Sequence, residues 1–332
     1  MKRGCIYLVY LIATVLMTTF AKAQVDPHFS QYYIYPHYMN PASTGLIEGD
    51  YRVSGIYRNQ WSNISTPYST AAITADFTTN KNMNYGANIL NQTAGNGGYS
   101  LLNGYASLAY TGLKFGFEGY QHIVLGMQAG FISRRIDPTK FQMGDQWNPI
   151  TGYSPINPTS EQWTNTSTSV LDMGAGALYY DGNPEKSKNA FLGVAAFHIN
   201  KPKDPFNPQT KGYIPMRITV HGGMNFLLSE FVSMTPHFLY MSQGSAYELM
   251  IGDYFEVNAS DETDFLFGLN YRYKDAISPF AGITNKGFTI AATYDVNMST
   301  LGKMANGAGS VEITLSYMIK NPEKFSLKCP HL

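Results

Sequence analysis

Residues 311–319 read VEITLSYMI. Successive side chains of an extended chain point to opposite faces. Val311, Ile313, Leu315, Tyr317 and Ile319 therefore share one face, and Glu312, Thr314 and Ser316 the other. The first face is wholly apolar; the second carries a carboxylate. Two earlier stretches repeat the pattern. In 288–297, Phe288, Ile290, Ala292, Tyr294 and Val296 oppose Thr289, Thr293, Asp295 and Asn297. In 264–274, Phe265, Phe267, Leu269, Tyr271 and Tyr273 oppose Asp264, Asn270, Arg272 and Lys274. A soluble sandwich alternates too, but with strands of about 5–6 residues. Runs of about 9–12 residues with a Tyr- and Phe-rich apolar face match a transmembrane β-strand.

Working outward, Gly, Asn, Asp and Pro cut the remaining chain into further segments of this kind: 51–59, 68–77, 84–92, 99–110, 121–132, 168–180, 190–199, 213–227, 231–242, 246–257 and 276–283. The expected fold is all-β: a transmembrane, up-and-down outer-membrane β-barrel over residues 51–319, with about 14 antiparallel strands, an even number as single-chain bacterial barrels require. Connection lengths agree. The longest, at 133–167, 200–212 and 298–310, follow strands five, seven and thirteen and so emerge on one side. Short connections at 228–230 and 284–287 fall on the other, with 181–189 as a longer exception. Long extracellular loops opposite short periplasmic turns are the usual asymmetry.

Composition narrows the class. Charged residues are 14% of the chain and sum to zero, which argues against a nucleic-acid-binding patch. Lys2 and Arg3, the apolar run 6–20 and Ala21-Lys22-Ala23 read as a signal peptide over residues 1–23. The mature chain then holds one cysteine, Cys329, too few for an internal disulfide. No later apolar run approaches the ~20 residues of a membrane helix, so a membrane location requires a closed barrel. Residues 320–332 are expected to form a C-terminal tail.

The stretch 24–50 fits neither a long strand nor a long helix. Pro36 and Pro41 remove backbone donors and disfavour helix just before them, yet low charge argues against disorder. It is expected to serve as a periplasmic or plug segment, on the periplasmic side by loop parity. Phe29, Tyr32, Tyr33, Tyr35 and Tyr38 are the candidate residues for plugging the lumen or docking a periplasmic component.

Catalytic motifs are lacking: no HExxH, GxSxG, CxxC pair or phosphate-cradling glycine loop. Nothing in the sequence asks for a cofactor, and the reading is non-enzymatic. Arg52, Arg58, Arg134, Arg135, Arg217, Arg272 and Lys274 are expected to line a lumen opposite carboxylates. The acidic group Glu248, Asp253, Glu256, Asp261, Glu262 and Asp264 reads as a solvated periplasmic rim, its spacing matching no calcium loop. The loop 133–167 carries Phe141, Trp147, Tyr153 and Trp163, residue types that dominate binding hot spots. These four either bind a partner or fold inward to cap the barrel.

Several blocks then carry a family resemblance. Asp26-Pro27-His28-Phe29-Ser30-Gln31-Tyr32, Asn40-Pro41-Ala42, Gly45 and Tyr57-Arg58-Asn59-Gln60-Trp61 follow the signal segment. Phe197-His198-Ile199-Asn200-Lys201-Pro202, Tyr294-Asp295-Val296-Asn297, Glu312-Ile313-Thr314-Leu315-Ser316-Tyr317 and Lys328-Cys329-Pro330 come later, in order. The chain resembles the PorP/SprF family, outer-membrane proteins of the Bacteroidetes type IX secretion system and gliding machinery. That resemblance implies a barrel that binds secreted cargo, adhesins with a type-B C-terminal secretion domain, for export and surface attachment. It implies as partners the secreted surface protein, a periplasmic secretion-system ring or peptidoglycan-associated component, and outer-membrane lipid. The alternative is an outer-membrane diffusion pore or nutrient channel.

Overall fold

The structure, a computed structural model, describes residues 26–61, 67–79, 81–161, 165–203, 212–299 and 309–319. The signal segment, the C-terminal tail with Cys329, and Trp163 lie outside the described residues. Fourteen antiparallel strands close into one barrel. They are β1 (Tyr51–Gln60), β2 (Tyr68–Phe77), β3 (Met83–Ala94), β4 (Tyr99–Phe115), β5 (Gln121–Ile136), β6 (Ser167–Asp181) and β7 (Lys188–Phe197), then β8 (Arg217–Ser229), β9 (Val232–Gln243), β10 (Ala246–Ser260), β11 (Thr263–Arg272), β12 (Ala276–Asn285), β13 (Phe288–Asn297) and β14 (Ser310–Ile319). Each strand pairs with its sequence neighbours, and β14 closes on β1 from Tyr51↔Ile319 to Gln60↔Ser310.

The alternation read from 311–319 is the barrel wall. Val311, Ile313, Leu315, Tyr317 and Ile319 are 44–51% exposed and face outward, whereas Glu312 and Thr314 are 1% exposed inside. Exposed Tyr and Phe gather near both rims. Tyr51, Phe77, Phe115, Phe288 and Tyr317 mark the short-turn end, and Tyr68, Tyr247, Tyr271 and Tyr294 the long-loop end. Paired aromatic girdles around an apolar band are the signature of a bilayer-spanning barrel.

Several boundaries move. β4, β5 and β6 reach 17, 16 and 15 residues, because ladder bonds continue past the apolar band, where alternation fades from the sequence. The longer β6 and its neighbour reduce the connection expected at 181–189 to 182–187, so the six even-side connections are all short. The strand expected at 213–227 starts only at Arg217, after Pro215, and the one expected to 199 stops at Phe197 because His198 takes a left-handed φ of 59°. Lys274 also leaves its expected strand, for a turn with φ 59°, and Arg135 faces outward. Neither lines the lumen, whereas Arg58, Arg134, Arg217 and Arg272 do. The acidic rim is corrected as well. Glu248 is buried in the lumen near the opposite mouth, and Asp253 lies on the outward face of β10.

Candidate functional site

Residues 26–50 run through the lumen. At the short-turn end, Asp50 accepts from Thr78 N (3.0 Å) and donates to Ile319 O (3.0 Å), fixing the entry into β1. At the long-loop end, Asp26 N donates to Gln243 Oε1 at 3.2 Å, and the Asp26 carboxylate meets His198 and Arg217. The segment was expected on the periplasmic side; its beginning instead reaches the opposite mouth. Loop parity located only the end joined to β1.

Three polar clusters and a glycine seat hold the segment. At the long-loop mouth, Asp26 Oδ2 is 2.9 Å from His198 Nε2 and 3.0 Å from Arg217 Nη1. The Arg217 guanidinium lies between the rings of Tyr38 (4.0 Å) and Phe197 (4.1 Å) and donates to Tyr38 O at 2.8 Å. Such stacking adds cation–π attraction to the ion pair. Asp172 Oδ1 sits 3.0 Å from His198 Nδ1, close enough to pair but off-axis for a hydrogen bond. Burial alone would push the His198 imidazole down; Asp26 and Asp172 outweigh it and hold the pKa up at about 9. Burial would raise the Asp26 carboxyl, but the His198 and Arg217 charges keep it well below the usual carboxylate range.

The second cluster is deeper. Arg58 reaches Asp295 at 2.6 Å and Glu312 at 2.9 Å, and Arg272 reaches Asp295 at 2.7 Å, every side chain being at most 4% exposed. Asp295 lies between the two guanidiniums, and Arg272 also pairs with the partly exposed Asp275, so each buried cation has carboxylates against it, as buried ions require. The segment completes the network. Glu312 accepts from the backbone of Ser30 (2.9 Å) and Gln31 (2.6 Å), and Ser30 Oγ donates to Asp295 Oδ1 at 2.8 Å. Thr314 Oγ1 donates to Gln31 Oε1 at 3.0 Å, and Asn270 Nδ2 to Ser30 O at 3.1 Å.

Toward the short turns, His37 bridges Asp76 and Thr74, Arg52 Nε donates to Asp76 Oδ2 at 2.9 Å, and Gly45 N donates to Asp76 Oδ1 at 2.8 Å. Between these clusters the turn Asn40-Pro41-Ala42 rests on inward-facing glycines. A Cβ on Gly126 would overlap the Pro41–Ala42 backbone, and one on Gly176 would overlap the Asn40 side chain. Glycine there lets two backbones approach.

Of the candidate aromatics, Phe29 (2% exposed), Tyr35 (1%) and Tyr38 (9%) pack with Ile56, Ala72 and Leu90 of β1–β3. Tyr32 packs with Met39, Leu239, Met241 and Met250, and the half-buried Tyr33 against the same group. Tyr33 also lines a cavity of about 190 Å³ opening near the short turns, walled by Ile34, Leu46, Ile47, Phe280 and Met318 with Glu48, Glu256 and Asp264. The loop aromatics sit apart from this site. Phe141 packs on the Gly95–Gly98 turn, and Trp147 (55% exposed) meets Tyr153 at 6.0 Å across a small hairpin.

Sequence reading named the aromatics and several lumen arginines. It missed Ser30, Gln31, His37, Asp76 and the glycine seat as a joint site. Their only sequence signal was polar or missing side chains at inward strand positions.

A closed, even-stranded barrel with an apolar outer band, aromatic girdles and an ion-paired interior is an integral outer-membrane protein. The profile of the family described as type IX secretion system membrane protein PorP/SprF matches residues 21–317. The chain belongs to that family. Solved structures of similar fold include the TodX deltaS2S3 mutant monoaromatic hydrocarbon channel, with TM-score 0.50, 8% identity, and coverage of 89% of this chain and 95% of that one. The Ralstonia pickettii toluene transporter TbuX gives TM-score 0.49 at 12% identity, with 84% and 92% covered. The Pseudomonas putida toluene transporter TodX gives 0.49 at 7%, with 88% and 94% covered. At these identities the likeness concerns the fold alone. No curated protein sequence matches the chain.

Proposed function

We propose that this barrel is a docking protein of the secretion system. Its long-loop face holds the C-terminal secretion domain of a secreted adhesin, for export and surface attachment, and its short-turn mouth engages a periplasmic component. The observation that carries the reading is the loop between β5 and β6. It projects Trp147, Ile150 (93% exposed) and Ile156 (90%) from the barrel, and exposed apolar groups clustered on one loop favour a protein partner. Phe141, Trp147, Tyr153 and Trp163 are assigned to that contact. The lumenal segment supports the same reading over a diffusion pore, since its buried ion pairs occupy the space a solute would use. Phe29, Tyr32, Tyr33, Tyr35 and Tyr38 are assigned to plugging.

Deleting residues 138–165 tests the loop assignment. The barrel should still assemble, as judged by heat-modifiable gel mobility, while cargo is lost from the cell surface. Surface cargo at parental level refutes it. Planar-bilayer recording tests the plug: the pore reading requires a steady current from the intact protein.

A further inference from the structure

The outward face of the barrel carries one anomaly. Asp253 is the central residue of the fifteen-residue β10. Its strand neighbours Tyr254 and Met250 are buried within the lumen, and the register with β9 is continuous from Val232↔Val257 to Gln243↔Ala246, so Asp253 points outward. Along β10 it is flanked on that face by Leu249 and Ile251 on one side and Phe255 and Val257 on the other. Across the sheet it stands beside Pro236 and Leu269. Ile251, Phe267 and Leu269 are 46–55% exposed, which places the carboxylate in the middle of the lipid-facing band. Among the described residues, the other charged side chains on outward strand positions, Arg135, Asp181 and Lys188, stand at strand ends. No hydrogen bond or ion pair to the Asp253 side chain occurs among the described residues; an electrostatic neighbour, His237, is a buried imidazole on the lumenal side of the sheet.

The wall around it is also distinctive. Pro236, Asp253, Leu269 and Pro279 form one row across β9–β12. At both ends of the row the ladder is interrupted. β8 and β9 do not pair between Gly223↔His237 and Phe226↔Met234, and β12 and β13 do not pair between Ile277↔Val296 and Phe280↔Thr293. Proline lacks the donor such ladders need. The four strands thus make a panel set off from the rest of the wall, with stacked Phe255 and Phe267 (5.4 Å) beside the carboxylate.

An unpaired ionisable group facing hydrocarbon is costly and marks a functional position that needs a partner. We propose that the β9–β12 panel is a lateral interface for a second membrane-embedded protein, which presents a lysine or arginine to Asp253 from its own lipid-facing surface. A second copy of this chain is disfavoured, because two-fold contact across this row would oppose two carboxylates. A lipid headgroup amine would have to descend to mid-band.

Two measurements decide it. The first uses the purified protein refolded into phosphatidylcholine vesicles, where no partner exists. Asp253→Leu should fold more stably than the parent, with at least a ten-fold shift in the folded-to-unfolded ratio at fixed urea. An equal or lower ratio overturns the proposal, because the carboxylate would then carry no cost to be relieved. The second uses native outer membranes and a photo-reactive benzoylphenylalanine at Phe255 or, as the control on the opposite wall, at Val311. The expected adduct forms at 255 but not 311, maps by mass spectrometry to an outward position within two residues of a lysine or arginine on another barrel's strand, and is lost in Asp253→Leu. Adducts with lipid alone, with a second copy of this chain, or unchanged by Asp253→Leu each overturn it. These results are independent of loop 138–165 and cargo retention.

Discussion

Replacing Glu312 with alanine should free the lumenal segment while leaving the barrel closed. Glu312 makes two charge-assisted bonds to the segment's backbone, at 2.9 Å from Ser30 N and 2.6 Å from Gln31 N. Bonds to a charged group contribute about 1.5–3 kcal/mol each. Losing both removes about 3–6 kcal/mol of attachment, and Arg58 is left with Asp295 alone among its two carboxylate partners. Water entering the space recovers part of this. Even the lower bound multiplies the released population about a hundred-fold. The assay is thiol labelling of a Phe29→Cys reporter, buried at 2% in the parent residue, together with single-channel conductance. Both should rise in Glu312→Ala, with gel mobility still showing a closed barrel. Glu312→Gln, which keeps one acceptor oxygen, should fall between. Parental labelling and conductance in Glu312→Ala, with the barrel intact, would show that this network does not hold the segment.

Alkaline pH should loosen the outer latch: His198 is held at about 9, above its free value of 6.5, so its contribution is complete below about 6.5 and lost as pH rises through 9. Phe29→Cys labelling should therefore increase between pH 7 and 10, and His198→Gln should abolish the step. The lowered Asp26 pKa acts in the opposite window, its stabilisation present above about 4 and lost only under strong acid. Gly126→Val should unseat the Asn40–Ala42 turn by overpacking, costing about 1–3 kcal/mol and raising thiol accessibility without opening the wall. Ile313→Arg on the lipid face should cost about 2–4 kcal/mol in urea refolding into vesicles, and no measurable loss there would contradict the assigned membrane face.

Period two within single strands needs no tertiary information. Alternation of the kind seen at 311–319 and 288–297, repeated along the chain, therefore determined the barrel and its strand number, and connection lengths with strand parity determined the side on which the long loops emerge. Local rules failed where backbone choices depended on neighbours. Lys274 and His198 left their strands for left-handed turns, and β4–β6 outran their apolar alternation because partner strands continued the ladder. The path of residues 26–50 was decided by tertiary structure alone. Parity fixes where Asp50 joins β1, but nothing local in the segment reports that Asp26 ends beside His198 and Arg217, residues about 170–190 positions away. Nor could composition reveal that Asp295 bridges Arg58 and Arg272 while Glu312 pairs with Arg58, or that Gly126 and Gly176 make room for Asn40–Ala42. The partners in those contacts lie on different strands or on the lumenal segment, and only closure of the sheet around that segment brings them together.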